Sequence, residues 1–187
     1  MGIQQNANYV VVAGDGTVYV APTASAVAPT NAATALNAVW LEMGYVSEDG
    51  ATFTQGQEIT DINAWQSFYP IRRVLTARTV SISFALREWN KRAVEFATGG
   101  TVAINAAEWK LTPPTPSATI DRALILEWVD GSKKYRLFCP KGVISEDVET
   151  NLSRTAAADL PVTFAASDPG AGGSIYQLFT TDPAFSS

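Results

Sequence analysis

Alternation of apolar and polar residues dominates the chain and predicts β-strands. In the clearest segment, residues 79–86, small residues separate the apolar ones, so one strand face is apolar and the other carries hydroxyl groups. Strand patterns also occur at residues 9–12, 17–20, 40–46, 51–54, 102–104, 109–111, 120–129, 135–139, 160–166 and 174–179. The chain is therefore predicted to be mainly β.

Residues 88–98 form the one stretch with a helical period. Their apolar positions recur at spacings of three and four, at Trp89, Ala93, Phe96 and Ala97, and Gly99-Gly100 supplies a stop signal. A doubly wound α/β fold needs repeated helices between its strands, so this pattern disfavours it. We predict an antiparallel β-sandwich or barrel with one flanking helix at about 88–98, as a single domain over residues 1–187.

Three segments lack such periodicity over most of their length. Residues 21–38 are rich in Ala, Pro and Thr and are predicted to be a surface loop. Residues 47–76 are too long for a simple hairpin and are predicted to form a long inter-strand loop. Both loops are expected to order on assembly. Residues 180–187 are predicted to be a loose C-terminal tail.

The composition argues against catalysis. The 187 residues include no histidine and one cysteine, which removes Ser-His-Asp and Cys-His chemistry, a disulfide framework and a Cys/His zinc site. Cys139 lies in an apolar strand, as a small core residue does. The acid pairs Glu48/Asp49 and Glu146/Asp147 point to opposite strand faces and fit solvated turns better than a glycosidase pair. We expect a protein that is not an enzyme, with no catalytic, cofactor-binding or metal-binding residues.

Charge is distributed in three blocks. Residues 1–71 hold six acids and no Lys or Arg, residues 72–141 hold twelve bases and six acids, and residues 142–187 hold six acids and one base. Such asymmetry is typical of interaction surfaces, although blocks that interleave in one fold can also cancel locally. The sequence leaves both interpretations open.

Aromatic and basic residues cluster in the middle of the predicted 47–76 loop. The cluster comprises Trp65, Phe68, Tyr69, Arg72 and Arg73. Neither strand nor helix periodicity places all three aromatic side chains inward. Aromatics mixed with Arg suit protein interfaces, glycan faces and single-stranded nucleic acid, but a pI near 4.7 argues against general nucleic-acid binding. The cluster therefore predicts a protein–protein contact.

Two specific stretches resemble one family. Residues 40–54 (WLEMGYVSEDGATFT) resemble the W..LGYVSEDGVTFT stretch of major tail tube proteins of long-tailed, siphovirus-type bacteriophages that infect actinobacteria. Residues 64–73 (AWQSFYPIRR) resemble the WQS.YPVRR stretch that follows it. Met43 stands where the family has Leu, a mild change at an apolar position. More generic likenesses, to the strand leading into the helix and to the last core strand, lie at residues 78–90 and 160–164.

The resemblance implies a structural virion protein with a β-sandwich and a flanking helix. It also implies hexameric rings that stack head-to-tail into a tail tube, with strands of neighbouring subunits forming one barrel around a lumen. A tape-measure protein first fills that lumen, and DNA later passes through it without specific binding. Other tail proteins are further partners, and a long loop joins neighbouring rings or subunits. The 47–76 loop is our candidate for that contact.

A lumen that conducts DNA is expected to carry small polar and acidic side chains, because a negative wall repels phosphates. Our candidates for lumen-facing residues are Thr79, Ser81, Ser83, Asp121 and Glu127.

Two other functions remain open at the level of sequence. A head–tail joining or decoration protein of a phage would share the strand content and form a closed ring or cap. A carbohydrate-binding module would place exposed Trp and Tyr on a flat sheet face. The N-terminus lacks the basic and apolar regions of a signal peptide, and no apolar run has the roughly 18 residues of a membrane span. We expect assembly in the host bacterial cytoplasm, residence in the virion and no membrane partner.

Overall fold

The computed structural model describes residues 6–105, 108–115, 119–170 and 172–185. The strands are β1 (Asp15–Pro22), β2 (Leu41–Glu42), β3 (Val46–Ile62), β4 (Arg72–Leu86), β5 (Thr101–Asn105), β6 (Glu108–Thr112), β7 (Arg122–Asp130), β8 (Lys133–Ile144), β9 (Leu160–Ala166) and β10 (Gln177–Thr180). One α-helix, α1 (Lys91–Thr98), and two short 3₁₀ turns, Ala7–Tyr9 and Pro183–Phe185, complete these elements. The prediction of a mainly β fold with one helix is confirmed.

One antiparallel sheet bends back on itself around the core. Its strand order is β2-β1-β7-β8-β9-β4-β3, with β10 also paired to β8, while β5 and β6 form a separate two-stranded sheet. The first part of β8 pairs with β10 and its last residues pair with β9. The main core lies between the resulting layers and joins apolar residues of β1, β4, β7, β8 and β9 with one face of α1. In β4 and β9, the fully buried Ile82, Leu86 and Phe164 confirm the alternation in the sequence.

The crossing of β8 from one layer to the other leaves no room for a side chain at Gly142. A Cβ atom there would overlap the carbonyl oxygen of Ala165 and the ring of Phe164. We expect Gly142→Ala to lower the free energy of unfolding by about 1–3 kcal/mol in urea denaturation. In the control Gly14→Ala, the new Cβ would lie 3.8 Å from the Val129 carbonyl oxygen, so a loss below about 0.5 kcal/mol is expected. Equal losses in the two variants would contradict the tight crossing.

The helix begins later than the sequence predicted. Asn90 caps it, because the Asn90 side chain accepts a hydrogen bond of 2.9 Å from the Ala93 backbone amide. Gly99, with φ of 66°, ends it in the left-handed conformation. Ala93, Phe96 and Ala97 face the core as expected. Trp89 lies before the cap instead, half-exposed, and its indole donates a hydrogen bond to the Ala158 carbonyl oxygen.

Residues 47–76 are not a loop, so this prediction is wrong over most of its length. Strand β3 covers residues 47–62 and β4 begins at Arg72, and the two pair continuously from Ala51↔Phe84 to Ile62↔Arg72 apart from one register shift. Hydrogen bonding between the two strands satisfies the backbone of a segment whose side chains face solvent on both sides. The result is a long β-hairpin.

The predicted loose tail, residues 180–187, is ordered as far as Phe185, and residues 186–187 lie outside the described part of the chain. Strand β10 ends at Thr180, and the Thr181 backbone amide donates to the Lys134 carbonyl oxygen. Asp182 is buried and accepts a 2.6 Å hydrogen bond from the Tyr135 hydroxyl, and the Lys133 ammonium lies 3.1 Å from its carboxylate. A buried, paired carboxylate therefore holds the C-terminal segment against β8.

This carboxylate makes stability depend on pH. Hydrogen bonds from Tyr135, then from the Ala184 amide, hold the pKa of Asp182 below its usual value. A lowered folded-state pKa stabilises the fold above the unfolded pKa of about 3.9, and this contribution is lost as pH falls through the folded pKa. We expect Asp182→Asn to be less stable than wild type at pH 7 and the difference to shrink below about pH 4, measured as urea midpoints. The exposed Glu149→Gln is the control, and a pH-independent difference for Asp182→Asn would contradict this assignment.

Candidate functional site

The distal half of the β3–β4 hairpin projects from the core as an arm, which we define as residues 56–79. The change occurs within β4, where buried positions alternate from Val80 onward and the preceding residues are exposed or half-exposed. A register shift between Glu58 and Ile59 interrupts the ladder halfway along the arm. Such irregularities bend a strand and increase its twist. The arm is held by strand pairing rather than by a core.

The tip of the arm, residues 63–73, brings together all five residues of the predicted aromatic and basic cluster. Trp65 and Phe68 are fully exposed, and Tyr69 is 81% exposed. Hydrogen bonds from the Ser67 hydroxyl to the Tyr69 carbonyl oxygen, 2.8 Å, and from the Ile71 amide to the Ile62 carbonyl oxygen, 2.9 Å, order the turn. Three large aromatic side chains on an ordered, solvated turn are typical of a protein-interaction site.

The two arginines of the tip differ in their partners. The Arg73 guanidinium donates to the Asp61 carboxylate across the hairpin at 3.1 Å. Arg72 pairs with no carboxylate in the part of the chain that the structure describes. Arg72 therefore keeps its positive charge available beside the aromatic side chains.

Thr79, Ser81 and Ser83 lie together on the face of β4 that points away from the core. Their cross-strand partners in β3 are Gly56, Thr54 and Thr52. On the other side, the hydroxyl groups of Ser83 and Thr163 of β9 lie 3.1 Å apart, and the Thr163 hydroxyl donates to the Glu146 carboxylate at 2.7 Å. We call this surface the hydroxyl face: it spans three strands and carries small polar side chains with one carboxylate.

The two acids predicted with this group lie elsewhere. Asp121 precedes β7, and its carboxylate is 3.5 Å from the Lys141 ammonium. Glu127 of β7 lies on the opposite side of the core from the hydroxyl face, where it accepts a 2.5 Å hydrogen bond from the Arg136 guanidinium. Since the core separates Glu127 from the hydroxyl face, Glu127 does not share one surface with Thr79, Ser81 and Ser83, and the lumen assignment of all five residues stays a prediction.

The surface around Glu127 holds a second apolar cluster that the sequence did not reveal. Trp40 packs edge-on against Phe138, together with residues of β1 and β7, and residues 22–40 cover them. Arg136, almost fully buried, donates to the carbonyl oxygens of Asn31 and Thr34 at 2.6 and 2.9 Å. The predicted surface loop is thus a cover for the outer face of the sheet. The sequence feature that could have indicated this cover is Trp40, a large aromatic residue at the end of a segment with little apolar periodicity.

An acidic groove is the other feature that sequence reasoning missed. It encloses about 970 Å³ between the start of β3 and strands β1, β7, β8 and β10. Its lining includes the aromatic side chains of Tyr45, Phe53, Trp128 and Tyr176 and the carboxylates of Asp15, Glu42, Glu48 and Glu88. The sequence feature that could have indicated this acidic groove is the absence of Lys and Arg from residues 1–71.

Cys139 is fully buried, and burial raises its pKa to about 12, so the thiol stays protonated at neutral pH. The search of the described residues finds no group of three or more His, Cys, Asp or Glu placed to hold a metal ion. Within the same residues, no helix has the length and apolar character needed to cross a membrane.

Comparison with known proteins identifies the family. A search of curated proteins finds no match to the chain. A family model described as phage tail tube protein matches residues 3–187, almost the whole sequence. This match agrees with the antiparallel β fold and its single helix. The chain therefore belongs to the family of phage tail tube proteins, structural components of the virion.

Proposed function

We propose that copies of this chain form hexameric rings that stack into the phage tail tube, and that DNA passes through the tube during ejection. The observation that carries the proposal is the arm, whose fully exposed aromatic tip packs against nothing among the described residues. A monomer gains nothing from an ordered apolar tip in water, whereas an assembly buries it. The tip is the proposed contact between subunits or rings.

The edges of the sheet support the same proposal. Strand β3 is 17 residues long and stands at the end of the strand order, so one of its edges is open. An open edge of this length favours aggregation unless it is paired. Pairing between neighbouring subunits would close the edge and would continue the sheet around a ring. Contacts between different surfaces of successive copies allow open-ended growth.

The hydroxyl face is the proposed lumen wall. Its Thr and Ser side chains offer DNA no positive charge, and Glu146 adds a negative one. Glu127 is paired with Arg136 on the other surface and Asp121 with Lys141, so we propose a lumen lined by Thr79, Ser81 and Ser83 rather than by these two acids. The tape-measure protein would occupy this lumen before DNA. A tube reconstruction with Lys and Arg dominating the lumen would contradict the assignment.

Negative-stain electron microscopy of the purified protein tests the proposed function. We expect hollow tubes or stacked rings, favoured by high protein concentration and by sulfate, which strengthens apolar contacts. Closed single rings or caps would indicate a head–tail joining or decoration protein instead. A carbohydrate-binding module is disfavoured because the most exposed Trp and Tyr among the described residues, Trp65 and Tyr69, lie on a hairpin tip and not on a flat sheet face. Binding of monomers to a glycan array would support the carbohydrate-binding function instead.

A further inference from the structure

The acidic groove has the shape and lining of a binding site. Leu126 and Leu137, both buried members of the core, line it together with the half-exposed Trp128. Phe53 and Tyr176 also line it and form an edge-to-face pair with ring centroids 5.2 Å apart. The volume of about 970 Å³ lies near the upper end of the roughly 300–1,000 Å³ typical of ligand pockets. An open groove with an apolar lining gains free energy when another apolar surface fills it.

The charged residues that line the groove are all acidic. Four carboxylates line it, those of Asp15, Glu42, Glu48 and Glu88, and no Lys or Arg does so among the described residues. Arg87 lies at the rim: its guanidinium donates two hydrogen bonds of 3.0 and 3.2 Å to Asp159 and one of 3.4 Å to the hydroxyl of Ser47, which lines the groove. The groove therefore selects an occupant that combines apolar side chains with positive charge.

The tip of the arm has this combination. It presents three aromatic side chains and Arg72, and it contains no acid between residues 63 and 73. Two other exposed apolar segments fit less well: residues 9–12 carry no positive charge, and the exposed Trp109 of β6 lies between Lys110 and the acidic Glu108. Charge complementarity thus favours the tip.

The tip does not dock into the groove of its own chain. Phe53 lines the groove, and Ile62, which ends β3, lies nine positions further along the paired strand. At about 3.3 Å per residue the tip stands roughly 30 Å from its own groove. A paired hairpin does not fold back over that distance without losing its ladder. The occupant is therefore a tip from another copy.

We propose that the tip of one subunit docks into the acidic groove of a second subunit, with its aromatic side chains on the apolar lining and Arg72 against the carboxylates. The inference rests on the proposed self-assembly and adds the acceptor surface to it. Each copy then carries one tip and one groove on different parts of its surface. The contact between the tip of one copy and the groove of the next is heterologous and can repeat from copy to copy.

Engineered cysteines test the contact directly, because the native Cys139 is fully buried. Gln66→Cys places a thiol on the tip, Ala51→Cys places one at the groove, and Ala35→Cys places one on the 22–40 cover as a matched control. Two variants, each with one engineered cysteine in addition to Cys139, are mixed under assembly conditions and oxidised. One of the two carries a size tag. A disulfide requires Cα atoms within about 7 Å, so cross-linking reports proximity. We expect a mixed dimer from Gln66→Cys with Ala51→Cys and none from Gln66→Cys with Ala35→Cys.

Charge reversal adds a second readout. Glu48→Arg or Arg72→Glu alone is expected to lower the cross-linking yield about tenfold, and the two together, one in each partner, are expected to restore it. Glu149→Arg carries the same charge change on an exposed acid away from the groove and should leave the yield unchanged.

The outcomes separate the contact from the tube itself. Tubes in the microscope without the tip–groove cross-link, or tip thiols that link to one another or to Ala35→Cys, would overturn the docking and leave the tube function intact. Mixtures that give neither tubes nor cross-links would count against both.

Discussion

Replacing Arg136 by Ala is expected to lower the free energy of unfolding by about 3–5 kcal/mol and to release residues 22–40 from the sheet. Arg136 is 4% exposed, and its guanidinium hydrogen-bonds both Glu127 of the sheet and two carbonyl oxygens of this covering segment. Its removal leaves the Glu127 carboxylate without its partner in a half-buried site. Unpairing a buried ion costs more than the pair itself contributes.

The loss extends beyond one ion pair. The guanidinium also satisfies the Asn31 and Thr34 carbonyl oxygens, and its planar fork allows it to bind three acceptors at once. Without it, the cover keeps Trp40 as its main anchor, through packing on Phe138 and an indole hydrogen bond to the Val27 carbonyl oxygen. Residues 22–40 should then open locally before the sheet unfolds.

Urea denaturation and limited proteolysis measure the two effects. Arg136→Lys is the informative control: it keeps the charge, loses the fork, and is expected to fall between wild type and Arg136→Ala. Arg154→Ala removes an exposed arginine and should change the unfolding free energy by less than about 0.5 kcal/mol. New cleavage sites in Arg136→Ala are expected within residues 22–40. Unchanged stability together with an uncut cover would show that Arg136 does not hold it.

The core strands and the helix were predictable because their signals are local. In β4, the apolar residues from Val80 to Leu86 all face the hydrophobic core, so buried positions recur every two residues. In α1, the spacing of Ala93, Phe96 and Ala97 likewise records one buried face. Only the start of the helix was misplaced, because Trp89 fits the helical period although the cap at Asn90 excludes it.

The arm was not predictable from periodicity because neither of its faces meets a core. Residues 55–61 (QGQEITD) show no alternation of apolar and polar positions, although they lie in the middle of β3. Their strand conformation depends on pairing with β4 and not on burial. The tip residues, in contrast, stood out in the sequence because neither a strand nor a helix period turns all three aromatic side chains inward.

The covering segment and the surface around Glu127 depend on contacts that are remote in sequence. The Arg136 guanidinium meets the Asn31 carbonyl oxygen 105 positions away, and no pattern near either residue indicates that contact. The acid predicted to face a lumen is therefore an ion-pair partner beside a cover. The sequence shows which face of a strand a charged residue occupies. The residues that lie opposite that face are determined by the fold.

Removing the tryptophan from the tip, by Trp65→Ala, is expected to abolish tube formation and to leave a folded monomer. Because Trp65 is fully exposed, its loss should change the free energy of unfolding by less than about 0.5 kcal/mol. An aromatic anchor in an interface contributes about 2 kcal/mol or more, which is at least roughly thirtyfold in the affinity of each contact. The contact recurs at every subunit of a tube, so the weakening applies at each step of growth. Arg72→Glu should act in the same direction by placing a negative charge where the partner surface meets a positive one.

Thermal unfolding and negative-stain microscopy of the same preparations separate folding from assembly. Phe185→Ala is the control, because Phe185 is also an exposed aromatic side chain and lies outside the arm; tubes of normal length are expected from it. Trp65→Ala should unfold at the wild-type temperature and remain unassembled at concentrations where the control polymerises. If Trp65→Ala gives normal tubes, the tip is not an assembly contact, and the exposed aromatic side chains need another partner. If Trp65→Ala fails to fold, the tip stabilises the monomer. That result would contradict the expectation drawn from the full exposure of Trp65.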